Sequence, residues 1–103
     1  MALINLTPHD IIVVSEAQTI TLPSQGVCRV SSTSVLVGEH EGTPLYKVEF
    51  GQVEGLPDQV DGVLYIVSAL VKSAVPHRND VVSPTEYVRD SEGRIIGCKG
   101  FSL

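Results

Sequence analysis

The stretch Tyr65–Asp80, YIVSALVKSAVPHRND, decides the fold. It opens without a polar residue, as a strand buried on both faces does, and then changes period. Val67, Leu70, Val71, Ala74 and Val75 recur at three- and four-residue spacing with Lys72 and Ser73 opposite, which predicts a helix over residues 69–75. Ser68 stands where its hydroxyl can accept from an orphan backbone N–H, so it reads as the N-cap. Pro76 ends the helix, because the residue before a proline disfavours the α region. The unit is therefore a central strand from Val63 to Val67, one short helix, and an abrupt polar run of His77, Arg78, Asn79 and Asp80.

Outward from this unit the chain is extended. Ala2–Thr7, Asp10–Glu16, Thr19–Pro23 and Val27–Ser32 read as short strands, with Pro8 interrupting after the first. Val35–Val37 and Leu45–Phe50 read as two more, joined by the turn GEHEGTP. The latter strand puts Tyr46, Val48 and Phe50 on one face and Lys47 and Glu49 on the other. Gly51–Gly62 is rich in Gly, Pro and acids and reads as a connector. DVVSPTEYV and Arg94–Phe101 are the last extended segments. β-Branched residues suit a pleated surface. The sum is a single domain over 1–103 of the α+β class, mainly β. It is a curved antiparallel or mixed sheet, or a partly closed barrel, with the helix over one face or end.

Composition narrows the function. At 103 residues there is room for one core, and 43% hydrophobic against 18% charged residues predicts a packed one. The net charge is −5 and the seven Lys and Arg are scattered, so no basic stripe exists to hold a phosphate backbone, and nucleic acid is not an expected partner. Cys28 and Cys98 have no C-x-x-C spacing. The N-terminal MALINLTPHD lacks the charged and apolar regions of a secretory signal, and VLYIV is too short to span a bilayer. A cytoplasmic protein with reduced thiols and no membrane partner is expected. Short strands leave edges that a two-fold partner covers, which favours a homo-oligomer.

Two polar clusters are candidates for a site. In PHRND, Arg78 can hold a phosphate or carboxylate in a bidentate fork, beside His77, with Asp80 accepting from a hydroxyl or orienting Arg78. The plainer reading is an exposed Arg78–Asp80 pair leading into the next strand. In NLTPHD, the side chains of Asn5, Thr7 and His9 share one face if Pro8 keeps the register, and can line a pocket; the plainer reading is a solvated edge. Ser68 completes the candidate ligand-binding set. His9, His40 and His77 are far apart, so no metal is expected. No G-x-S-x-G elbow, P-loop or G-x-G-x-x-G is present, so no catalytic residue and no cofactor are assigned. Cys98, between Gly97 and Lys99, reads as a small buried hydrophobe.

INLTPHDI, FGQVEGLPD, GVLYIVSALVKSAVPHRNDVVSP and VRDSEGRIIGCKGF together cover more than half of the chain. They resemble a family of small, largely uncharacterised proteins of actinobacterial and bacteriophage genomes. The resemblance implies a small phage or prophage accessory protein of the host cytoplasm and brings no catalytic residues. Such proteins commonly act by binding something of the host's. The expectation is a non-enzymatic protein that sequesters a small anionic, nucleotide-like ligand and so counters host defence signalling, with Arg78 as charge anchor in a pocket shared by the two clusters. The alternative is a protein–protein interaction module or small virion component without a ligand.

Overall fold

The computed structural model describes residues 2–103, and among them lie eight strands and one helix. The strands are β1 (Ala2–Asn5), β2 (Ile11–Val14), β3 (Thr19–Leu22), β4 (Arg29–His40), β5 (Thr43–Glu54), β6 (Val63–Ile66), β7 (Val81–Arg89) and β8 (Ile95–Ser102). The helix α1 spans Ala69–Ala74. Six strands form a mixed sheet in the order β1-β6-β7-β8-β2-β3, and β4 and β5 pair as a separate two-stranded ribbon. The chain is mainly β with one short helix, as its sequence predicts.

The central unit folds as its pattern dictates. β6 lies between β1 and β7, parallel to both, with Ile4, Tyr65 and Val81 in one row and Asn5, Ile66 and Val82 in the next. Both rows are buried where they cross β6 and β7, which is why this strand is apolar throughout. The row of Tyr65 and Val81 joins Leu6, Cys28, Val67, Val71 and Val75 in the main core, under α1 and the base of the ribbon. Ser68 Oγ accepts from the Val71 amide at 3.3 Å, so the expected N-cap is present. Leu70 is the exception to the apolar stripe: it is 48% exposed, because the six-residue helix has only one side covered.

The sheet curls but does not close. Its outermost strands approach one another at a single parallel bridge between Asn5, the last residue of β1, and Ser24, just beyond β3. The Gln25 amide donates to Asn5 O at 2.8 Å and the Cys28 amide to Leu6 O at 2.9 Å, which extends the contact past the bridge.

Two segments depart from the expected pattern. β1 stops at Asn5 instead of running to Thr7. The Asn5 side chain accepts from the Thr7 amide two residues on, an Asx-type turn that competes with the strand ladder, and Pro8 has no amide to restore it. Asn5, Thr7 and His9 therefore do not share one strand face. The second departure is the ribbon. The three strands expected between Val27 and Phe50 merge into two of twelve residues each, and the turn shrinks to Glu41–Gly42. Both turn residues have positive φ, +50° and +81°, as a two-residue type I′ hairpin requires. A register slip between Leu36 and Gly38 absorbs one residue as a bulge, so the pairing continues to His40 and Thr43. The molecule is consequently flat and long, 52 × 39 × 19 Å, with a radius of gyration of 16.4 Å against about 13 Å for a compact chain of this length.

Candidate functional site

A groove of about 660 Å³ opens beside the point where the sheet edges meet. Its polar end is formed by Thr7, His9 and Asp10 from the turn after β1, and by Ser68 at the start of α1. These groups arrive together because β1 and β6 run parallel, so the segments that follow both strands emerge at the same end of the sheet. The apolar wall and floor come from β2, β7 and β8: Ile12, Pro84, Tyr87, Ile95, Ile96 and Cys98. Tyr87 and Cys98 are cross-strand partners, and β8 joins β2 where Cys98 pairs with Val13, so the floor spans three adjacent strands. Gly97 lines the floor as well, where an added Cβ would stand 2.9 Å from the Ile12 carbonyl.

The rim is held by side chains that do not themselves open to the groove. Asn5 is fully buried. Its Nδ2 donates to the carbonyls of His9 and Leu22, both at 2.9 Å, and its Oδ1 accepts from the Thr7 amide at 2.9 Å and the Thr7 hydroxyl at 2.6 Å. One amide thus ties β1, the Thr7–His9 turn and the end of β3 together, and it has no donor left for a ligand. Ser24 adds a second tie: its hydroxyl donates to Thr7 O at 2.6 Å, and its amide donates to an Asp10 carboxylate oxygen at 3.2 Å.

The other cluster is elsewhere. The crossover through α1 returns the chain to the opposite end of the parallel strands, because Val81 enters β7 beside Tyr65 of β6. His77, Arg78 and Asp80 therefore do not line the groove, and the single pocket expected from the two clusters is not formed. Arg78 is clamped: its Nε and one terminal nitrogen donate to the two Asp80 carboxylate oxygens, each at 2.8 Å, and the same terminal nitrogen donates to Pro57 O at 2.9 Å. Asp80 is 4% exposed and the Arg78 side chain 17%, so the pair is more deeply placed than a surface pair. The two-pronged guanidinium contact holds the Asp80 carboxyl below its ordinary range, outweighing the opposing effect of burial. The Arg78 guanidinium is tied into the fold and not presented as an anchor. His77 is exposed, and Asn79 accepts from Gln59 Nε2 at 3.0 Å.

The one thiol in the lining of the groove is Cys98. Burial pushes the Cys98 thiol up from its ordinary value, so it sits in the floor as a neutral group. His9 and Asp10 are the titratable groups at the open end, and no Lys or Arg lines the groove. Among the described residues no three of His, Cys, Asp and Glu gather as a metal site, and no helix is long and apolar enough to cross a membrane. Of the seven candidate residues, Thr7, His9 and Ser68 line the groove, Asn5 holds its rim from behind, and His77, Arg78 and Asp80 lie at the far end of the sheet. The signal that sequence reading passed over is the doublet Ile95-Ile96 with Tyr87: three large apolar side chains, each 48–53% exposed. Comparison with family models, curated proteins and solved structures found no match for this chain.

Proposed function

We propose that the chain is a non-enzymatic binding protein and that the groove between the Thr7–Asp10 turn, Ser68 and the Tyr87–Cys98 row takes its ligand. The observation that carries the reading is the lining: an apolar wall with a few convergent polar groups at one end, at a volume within the roughly 300–1,000 Å³ typical of small-molecule sites. Such a lining favours a flat or ring-shaped body against Tyr87 and the isoleucines, with hydroxyl, imide or amine groups meeting Thr7, His9 and Ser68. The Asp10 carboxylate and the lack of Lys and Arg weigh against a heavily charged ligand. A nucleotide-derived molecule fits this reading through its base and sugar, with His9 in place of Arg78 as a polar contact. In the phage or prophage setting that the sequence resemblance implies, such binding would sequester a host signal and counter a defence response.

The test is mass spectrometry of the native protein expressed in a bacterial host, followed by denaturation and analysis of released small molecules. A co-purifying compound of a few hundred daltons, lost in Tyr87→Ala and Ile96→Asp but kept in Arg78→Lys, is the expected result. A compound lost in Arg78→Lys and kept in the groove variants would move the site to the opposite end of the sheet.

A second reading is favoured by the ribbon. A protein–protein module or small virion component needs an exposed apolar surface, and Leu36, Tyr46 and Val48 of the ribbon are 51–61% exposed. Stable capture of a protein partner, with no small molecule in the native spectrum, would put this reading first.

A further inference from the structure

The β4–β5 ribbon is built of twelve-residue strands, about 40 Å long at the usual rise per residue. Beyond its base it packs on nothing in the chain: Val30, Val35 and Val53 are its half-buried residues, and every other position is exposed. An isolated two-stranded ribbon is marginal in water. The chain as a whole exposes 7149 Å², against about 5,600 Å² for a compact monomer of its mass. The excess, roughly 1,500 Å² per chain, is more than the roughly 800 Å² that one partner loses in a standard stable interface.

The sequence of β5 says what covers it. Among the described residues β5 pairs with β4 alone, so its outer edge is unpartnered. Along it runs Tyr46-Lys47-Val48-Glu49-Phe50, which is chemically palindromic about Val48. We propose that two copies of the chain pair antiparallel along β5, on a two-fold axis through Val48. In that register Lys47 of each copy lies opposite Glu49 of the other, Tyr46 opposite Phe50, and Val48 opposite itself. Opposite charges and aromatic pairs directly across a strand pair are favourable, and like charges are unfavourable. A slip by two residues either way brings Lys47 onto Lys47 or Glu49 onto Glu49, and a slip by one turns the Tyr46, Val48 and Phe50 face away from its counterpart. Charges on an edge ordinarily deter pairing; here they select one register. Within a chain, Lys47 and Glu49 face Val35 and Thr33 of β4, so changing their charges does not disturb the ribbon itself. The pairing continues the ribbon into a four-stranded sheet, β4-β5-β5-β4, with the Leu36, Tyr46, Val48 and Phe50 side chains of both copies on one face. It is independent of what the groove binds.

The experiment is native mass spectrometry and analytical ultracentrifugation of the full chain with charge-swap variants. The wild type is expected as a dimer or a multiple of dimers. Lys47→Glu and Glu49→Lys should each weaken self-association about tenfold, through two like-charge contacts per interface. The double variant should restore it, and mixing the two single variants, one isotope-labelled, should yield mainly the heterodimer, in which both charge pairs are opposite again. That recovery also shows that each single variant is folded. A monomeric wild type, a trimer or other odd-numbered ring, or single variants that associate as the wild type does, would overturn the proposal.

Discussion

Asn5→Ala removes four hydrogen bonds made by a fully buried side chain. The Leu22 carbonyl loses its donor and the Thr7 amide its acceptor, while the Thr7 hydroxyl and the His9 carbonyl, 3.0 Å apart, keep each other, so the net loss is three bonds. At about 0.5–1.5 kcal/mol net for each, the loss is roughly 3 kcal/mol. A domain of this length has a total stability of about 5–15 kcal/mol, so a large share of it goes. At about 4–8 °C per kcal/mol the melting temperature should fall by about 12–24 °C. Circular dichroism melts and urea titration measure this directly. Hydrogen exchange should show the Gln25 and Cys28 amides, which bridge the two sheet edges, losing protection first. The isosteric Asn5→Asp keeps the acceptor for Thr7 but aims lone pairs at two carbonyls. It should be at least as destabilised at neutral pH and partly recover in mild acid, where a protonated carboxyl can donate once. An alanine variant within about 1 kcal/mol of the parent, with unchanged exchange at Gln25 and Cys28, would refute the idea that this amide clasps the sheet edges, because a buried group with four partners falls short of that loss only if water already reaches it.

Three further outcomes follow from the packing. Gly97→Ala should destabilise by about 1–3 kcal/mol, since its Cβ would meet the Ile12 backbone, whereas Gly100→Ala, with open space around it, should be near neutral in the same melt. Stability against pH should be lost at both ends. Asp80 has a lowered folded value, so its contribution is complete above the unfolded carboxyl pKa of about 3.9 and disappears as pH falls through the folded value; Cys28 and Cys98 have raised values, so theirs is complete below about 8.5 and disappears as pH rises. Urea titrations at a series of pH values should show Asp80→Asn with a lower plateau and a shallower acid limb. Glu41→Asn should stabilise the ribbon by about 0.5–1 kcal/mol, because Asn tolerates the left-handed conformation that Glu41 holds; exchange protection of the β4 and β5 amides reads this out.

Local structure was legible in the sequence wherever one segment carried its own reason. The helix, its Ser68 cap, its stop at Pro76 and the strand before it are set by spacing within sixteen residues, and they stand in the structure nearly residue for residue. Which strand neighbours which is set by contacts between distant segments, and periodicity says nothing of those. The groove shows the consequence. Thr7, His9 and Ser68 were readable as polar groups at element ends, but Tyr87, Ile96 and Cys98 become their neighbours only through the β2–β8 and β7–β8 pairings. The sequence offers Arg78 and Asp80 as a ligand anchor or as an exposed pair. The geometry has them paired, and more buried than either reading allowed, because the loop before Gly62 folds over them and supplies Pro57 O. The ribbon reads as shorter strands in the sequence because its charged and glycine positions look like a turn, while the type I′ geometry at Glu41–Gly42 needs two residues only.

The strand order has a bearing on how the molecule is made. β1 waits for β6, more than fifty residues later, and β2 finds its inner neighbour in β8, the last strand of the sheet. As the chain leaves the ribosome, the N-terminal strands can form nothing larger than the β2–β3 hairpin until β6 is free to receive β1 and β8 to receive β2, and pairings this distant close slowly. The β4–β5 ribbon needs no such wait. It is sequence-local, complete by Glu54, and able to zip within microseconds of emerging. The longest strand pairing a new chain can form before β6 emerges is therefore its ribbon, displayed while the six-stranded sheet is still unformed. Chains growing side by side on one message would meet through that surface before either had a finished sheet.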